Sequence, residues 1–501
     1  MTEIAMPDTA PSEPKRTGKK KKLHPTPWRD NVEAMLMAIV MALVLKYFIV
    51  EAYRIPTGSM QPTLMGNAKA GIFDRILVDK WSYQVRDPRR WEVAVFRYPL
   101  DRSKNYVKRI VGVGPEQFRV HGGDLWRRDD ASQPWEILRR PRNVQDETWL
   151  AMEKAEPDGP LFFGVNQAGW EAGRDVTLDG DFRMRFGRPG SYVRDGYRDG
   201  YPDSLKDAMP RSQGPSGSKY VSDLRVDGSV EVSADTQELV IELQEGPRRY
   251  FFRLPGPAAP ADAVARIEAR MSANTGPGVA PFVADVESEG LRFLAGRSYD
   301  FTAQNLDDLC ELFVDGEAVC QLEVPAADNA AALLFLETTG GRTELADLMV
   351  YRDIHYTDDK GSSVEVTIPD GHYFMMGDNT LDSADSRVWR MRHLEVTSVD
   401  GAITELAGNH RAGNGQNSQS DFANDVNPLT SSMGHPELEL TTWFRDEWGE
   451  LHTMPAASVK DASPMTTPAP FVPRHMMLGR AISVFWPIKP LDGVWRFKKV
   501  D

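Results

Sequence analysis

Nineteen positions from Val32 to Val50 are apolar apart from Glu33, Lys46 and Tyr47, whereas the strand-like segments beyond them alternate apolar with polar side chains. An unbroken run of this length reads as a helix, and at 1.5 Å per residue it reaches roughly 28 Å, close to the hydrocarbon thickness of a bilayer. Period-two alternation marks half-buried strands over Ile72–Lys80, Trp91–Tyr98 and Asn105–Gly112. Shorter strand signals recur far downstream at Glu238–Leu243, Arg249–Leu254, Ser298–Thr302, Glu311–Val314 and Asp347–Tyr351, set among turn residues. The pattern predicts a mainly β protein with one N-terminal transmembrane helix and a β-sandwich inside it, apart from a helix expected near Ala261–Met271.

Charge orients the helix. Residues 1–30 carry Lys15, Arg16, Lys19, Lys20, Lys21, Lys22 and Arg29, so the positive-inside rule leaves the N-terminus cytoplasmic and exports the chain beyond residue 50. Two other readings of the run are a buried core helix and a cleaved signal peptide. A basic, Pro-rich tail before it argues against the first, and its length exceeds the usual signal core, which favours a retained anchor. The whole chain of 501 residues has a net charge of −14, and an acidic body excludes nucleic acid as partner.

The two cysteines, Cys310 and Cys320, are too few for a disulfide scaffold. Asp315-Gly316 between them marks a hairpin turn. A three-residue loop Val314-Asp315-Gly316 would set Cys310 opposite Cys320, whereas a two-residue Asp-Gly loop would pair Cys310 with Gln321. The first register is favoured, and either a disulfide or two buried thiols would suit it. No Cys/His cluster has metal-ligand spacing, and no metal or other cofactor is expected.

Candidate chemistry stands directly after the apolar run, where Pro56-Thr57-Gly58-Ser59 forms a turn. Lys108 lies in the third strand among Val107, Ile110 and Val111. Far downstream, a hydrophobic strand runs from Gly371 into a loop of short polar side chains ending at Arg387. Together, Ile55-Pro-Thr-Gly-Ser-Met-Gln-Pro-Thr-Leu64, Tyr106-Val-Lys-Arg-Ile-Val-Gly112, Gly377-Asp-Asn379 and Ser383-Ala-Asp-Ser-Arg387 resemble, in order, the boxes of the type I signal peptidase family. Asp74–Asp79, Glu92–Phe96, Val472-Pro-Arg474 and Gly479-Arg-Ala481 resemble its other strands. The matched segments cover about a third of the chain.

The resemblance implies Ser59 as nucleophile and Lys108 as its base, with Ser383 orienting the lysine amine. It implies that Thr57 supplies a hydroxyl to the oxyanion and that Asp385 and Arg387 form a structural ion pair near Asp378. Ile55 and Met60 are expected to line a pocket for small residues of signal peptides. Chemically, a serine hydroxyl needs an adjacent base, and a lysine can be that base only if burial keeps it neutral. Three departures stand out: Thr380 replaces an expected arginine, Thr57 replaces serine, and Gly112-Val-Gly-Pro-Glu116 replaces the usual turn after the lysine box.

The expected organisation is a basic tail 1–30, a transmembrane helix 31–50, catalytic parts 51–121, 364–394 and 469–501, an inserted β-rich domain 122–363, and a second insertion 395–468. The segment around Tyr299–Glu317 resembles part of a concanavalin-type jelly roll, and the second insertion reads as a flexible Asn/Gln/Ser loop from Asn409 to Asn427 with a hairpin after it around Trp443–Leu451. The expected partners are preprotein signal peptides, membrane lipid and an unknown ligand of the inserted domain, at the inner membrane. A tethered lectin-like protein with a vestigial peptidase core is the rival reading. A self-cleaving repressor with the same dyad fails on the anchor and on the lack of a basic DNA-reading segment.

Overall fold

The computed structural model describes the chain except residues 1–26, 69, 153–159, 166, 168, 197–198, 203–204, 206–218, 272–281, 329, 358–363, 398–400, 410–440, 456–457, 460–465, 486–495 and 501. The basic tail before Pro27 and most of the Asn-rich loop therefore lie outside the described residues. The chain divides into two units, residues 1–49 and 50–501.

In the first unit an α-helix, Pro27–Val44, passes into a π-helical segment, Leu45–Ile49. Its apolar side chains, Met35, Leu36, Ile39, Val40, Leu43 and Phe48 among them, are exposed. Among the described residues no helix is by itself long and apolar enough to cross a membrane. The expected span is split between two helical types, and the α-helix spends its first turns on polar residues that include Arg29, Asp30 and Glu33.

In the second unit an antiparallel sheet carries the peptidase-like segments. Its order is Val50–Arg54, Arg75–Asp79, Met477–Val484, Val93–Tyr98, Asp101–Val113, His372–Met376 and Phe471–Pro473, with Lys498–Lys499 added beside Met477–Val484. Arg75–Asp79 keeps strict alternation, with Ile76 and Val78 fully buried. Val93–Tyr98 is covered on both faces. Ala94, Phe96 and Tyr98 enter one apolar cluster, Val93 and Val95 another, which is why this segment reads as an almost continuous apolar run. The sheet is thus assembled from three stretches of sequence, and the domain is split by insertion.

A four-stranded sheet of Val364–Ile368, Glu116–His121, Asp124–Arg128 and Glu136–Ile137 crosses the expected boundary at residue 122. Beyond it, two antiparallel sheets of seven and eight strands form a sandwich from strands between Leu150 and Arg352. Val226, Phe301 and Leu348 of one sheet meet Ile241, Phe252 and Leu336 of the other in a single core. The predicted strands at 238–243, 249–254, 298–302, 311–314 and 347–351 all lie within it. In the second insertion, Thr441–Arg445 pairs with Leu451–Pro455 as the predicted hairpin.

Two expectations fail. The helix near Ala261–Met271 is a turn that leads into the strand Arg266–Met271. Ala265, Ile267, Ala269 and Met271 are buried at every second position, and this period outweighs the helix propensity of alanine and glutamate. The cysteines do not face one another and are free and buried. Asp315 and Gly316, both with positive φ, form a two-residue turn that pairs Val314 with Glu317. A bulge at Val319 then sets Leu312 opposite Cys320 and Cys310 opposite Leu322.

Candidate active site

Ser59 is raised on a turn whose apolar residues pull the chain into the core on both sides of it. The Gln61 amide donates to the Gly58 carbonyl at 3.0 Å and the Leu64 amide to the Met60 carbonyl at 2.8 Å. Ile55, Met60 and Leu64 are buried with Ile76, Val78 and Val95. The side chains of Ile55 and Met60 thus serve as the floor of the turn, and Ser59 and Thr57 stay half-buried above it. Gly66 closes the turn from beneath, since a Cβ there would lie 2.5 Å from the Thr57 carbonyl oxygen and 2.6 Å from that of Ile55.

Lys108 pairs with Ala94 across the central strands and is 3% exposed. Its Nζ donates to Ser59 Oγ at 2.5 Å. Burial lowers its pKa to about 8, against the upward pull of the Asp385 carboxylate. A neutral amine would take the hydroxyl proton along the same line. The structure therefore joins the two residues that the sequence pattern singled out.

The loop after His372–Met376 holds this pair in place. The Asn379 amide donates to the Ser59 carbonyl at 3.2 Å, and Asn379 Nδ2 donates to the Gly58 carbonyl at 3.0 Å. Gly377 is wedged between the Ser383 hydroxyl and the Ser59 carbonyl oxygen, where any side chain would collide. Ser383 Oγ is buried and faces the Asp385 carboxylate, and the lysine amine is bonded to Ser59. Asp385 accepts from Arg387 Nε and Nη2, both at 2.8 Å, and from the Gly377 amide at 3.1 Å. Arg387 also reaches the Thr357 carbonyl at 2.7 Å. This pair braces the loop, and Arg387 holds the fully buried Asp385 carboxyl below its ordinary range against the effect of burial.

Asp378 has its charge partner elsewhere. Arg109, next to the lysine, donates from Nε and Nη2 to its two oxygens at 2.9 Å each and from Nη1 to the Trp91 carbonyl at 2.7 Å. Thr380, at the position where an arginine was expected, donates to the His355 carbonyl at 2.7 Å. The altered turn after the lysine strand is closed by Glu116, which accepts from the Val113 amide at 2.9 Å and pairs with Arg90 at 2.5 Å.

Three positioning groups escaped the sequence reading: Arg109, Asn379 and Arg496. Arg496 donates to the Pro62 and Thr63 carbonyls at 2.6 and 2.9 Å and pairs with Asp74, whose Oδ2 accepts the Met65 amide at 2.7 Å. Arg109 carried a usable signal, as a second cation inside an apolar strand. Arg496 carried none.

The sequence profile described as "Signal peptidase, peptidase S26" matches residues 28–168 and 311–405. The chain is 44% identical over 87 residues to "Signal peptidase I" of Pseudomonas fluorescens, covering 15% of this chain and 28% of that protein. To "Signal peptidase I" of Leptolyngbya laminosa it is 32% identical over 171 residues, covering 32% of this chain and 76% of that protein. In three relatives it spans only 51%, 28% and 31% of their length, about half or less. Among solved structures, the carbohydrate recognition domain of Emp47p aligns at 10% identity over 41% of this chain and 93% of its own, with a TM-score of 0.24 that is too low to transfer fold or ligand.

Proposed function

Because the chain belongs to the signal peptidase family, peptidase S26, we propose that it is a membrane-anchored serine endopeptidase that cuts signal peptides from exported preproteins after small-x-small sequences. The observation that carries this reading is the 2.5 Å contact between Ser59 Oγ and the buried amine of Lys108.

In this mechanism Ser59 Oγ attacks the scissile carbonyl while Lys108 Nζ takes its proton. The oxyanion of the tetrahedral intermediate is met by the Ser59 amide and the Thr57 hydroxyl. Lys108 then gives the proton to the leaving amine, so the peptide bond breaks and an ester to Ser59 remains. The neutral amine activates water against that ester and returns the proton to Ser59 Oγ. Ser383 turns its hydroxyl toward the amine once substrate has displaced solvent. Arg109–Asp378 and Arg387–Asp385 keep the strand and the loop in register.

The run Val32–Val50, with its exposed apolar side chains, is the bilayer anchor, the basic tail is cytoplasmic and the catalytic unit is exported. An intact, hydrogen-bonded dyad favours activity over a vestigial peptidase core.

The deciding experiment incubates the detergent-solubilised chain with a preprotein whose signal ends in Ala-x-Ala, alongside Ser59→Ala and Lys108→Ala. Wild type should release the mature protein and both variants should not. Cleavage that survives either substitution overturns the dyad, and absence of cleavage by wild type overturns the activity.

A further inference from the structure

The rim of the inserted sandwich, where it meets the four-stranded sheet, buries an excess of acid. Two of its carboxylates have arginine partners: Asp353 pairs with Arg140, and Asp308 pairs with Arg248 at 3.0 Å. Three further acids converge beside them. Asp124 opens the strand Asp124–Arg128, Asp223 immediately precedes Leu224–Val232, and Asp307 begins the two-residue turn between Ser298–Leu306 and Leu309–Val314. They are 6%, 5% and 5% exposed, and each offers a carboxylate oxygen within 4.8 Å of the other two. Independently of that grouping, Asp307 Oδ2 is buried and accepts no hydrogen bond.

Carboxylates crowded in a dry interior repel one another and have lost their hydration, so they need protons or a cation. The charges that bear most on Asp124 and Asp223 are other carboxylates, including Asp307 and Asp353, while Asp307 also faces the Arg140 guanidinium shared with Asp353 and Asp223 accepts from Asn305 Nδ2 at 3.5 Å. Oxygens bound to calcium at 2.3–2.6 Å lie within about 5 Å of each other, which suits this spacing. A donor set of oxygen alone selects a hard divalent cation over zinc or copper.

We propose that Asp124, Asp223 and Asp307 bind a divalent cation of the calcium class, which staples the inserted sandwich to the strand pair from which it emerges. Asp124 stands beyond the tight turn after Glu116–His121, and Asp223 and Asp307 belong to the sandwich. The cation would close a loop of about a hundred residues between the first two ligands and offset the charge that their burial leaves.

The test uses the full chain in detergent, stripped with EDTA and titrated with calcium chloride by calorimetry. One calcium per chain should bind at this site, and a hundredfold excess over Kd should raise Tm by about 5 °C, reversed by EDTA. Asp223→Asn and Asp307→Asn should lose the heat, while Asp446→Asn, in the half-exposed Asp446–Glu450–His452 group, should keep it. Hydrogen exchange locates the site in the wild-type chain even if the variants fail to fold: calcium should protect peptides covering residues 121–126 and 303–309. The proposal is overturned by a wild-type chain whose Tm ignores calcium, magnesium and manganese, as it would if protons occupied the cluster. It is equally overturned by protection confined to residues 446–452.

Discussion

Burial acts on charge in opposite senses at the Ser59 turn and at the sandwich rim. Beside Ser59 it isolates one amine, with Arg109 and Arg387 already committed to Asp378 and Asp385. At the rim it gathers carboxylates in one place, Asp353 and Asp308 with their arginines and three more acids beside them. Desolvation is the same physical cost in both places, but the outcomes diverge. A solitary amine relieves the cost by giving up its proton more readily, at about pH 8, which suits it to the proposed role of base. Converging carboxylates relieve it by acquiring positive charge. On the readings proposed above, isolation near Lys108 serves catalysis and crowding at the rim serves binding.

The sharpest way to break this comparison is to remove the members of the dyad. Ser59→Ala or Lys108→Ala should each lower kcat/KM on a preprotein by about a thousandfold or more, read by gel-based cleavage. The paired neighbours should instead affect stability. Arg109→Ala strands a buried carboxylate and should cost about 3–5 kcal/mol in urea unfolding. If it proved harmless, the contrast between paired and isolated charge beside the site would collapse.

Lys108 gives the third test, through pH. Its pKa falls from 10.5 to about 8 on folding, so between these values the unfolded chain holds a proton that the native chain has lost. Stability should therefore rise with pH from about 8 to about 10.5, and the penalty should be complete below 8. Lys108→Met should remove that slope and stabilise the chain by about 3 kcal/mol at pH 7. Wild-type kcat/KM should ascend through about pH 8, because only the neutral amine accepts the serine proton. A limb at the ordinary lysine pKa would show that the amine is solvated. The smallest effect belongs to Asn379→Ala, which should lower kcat about tenfold with little change in Tm, since it loosens the Ser59 turn without opening the core.

Ser59, Lys108 and the Asp385–Arg387 pair were legible because short motifs carry them and local chemistry explains them. The strands were legible wherever apolar residues alternate. Arg266–Met271 shows the limit: its alternation was present, but alanines and glutamate in a row outweighed it in the reading. The cysteine register failed for a different reason, because one bulge at Val319 shifts every later pairing and leaves no composition signal. Ion-pair partners were the least accessible. Arg109 and Asp378 lie 269 positions apart, and Arg496 and Asp74 lie 422 apart, so only the folded chain brings them together.

The insertion touches the peptidase in more than one place. It leaves and re-enters through neighbouring strands, Glu116–His121 and Val364–Ile368. Tyr201 within it also donates a hydrogen bond to Gln61, two residues after Ser59, and packs with Leu205 against Met65 and Ile72. For protein engineering this makes the sandwich a bracket as well as a plug-in module. A graft that joined residue 121 to residue 364 through a short turn would bridge two adjacent chain ends, yet would uncover the far side of the serine turn. A minimal peptidase cut from this chain would therefore need a polar replacement for Met65 and Ile72 before its activity could be compared with that of the parent.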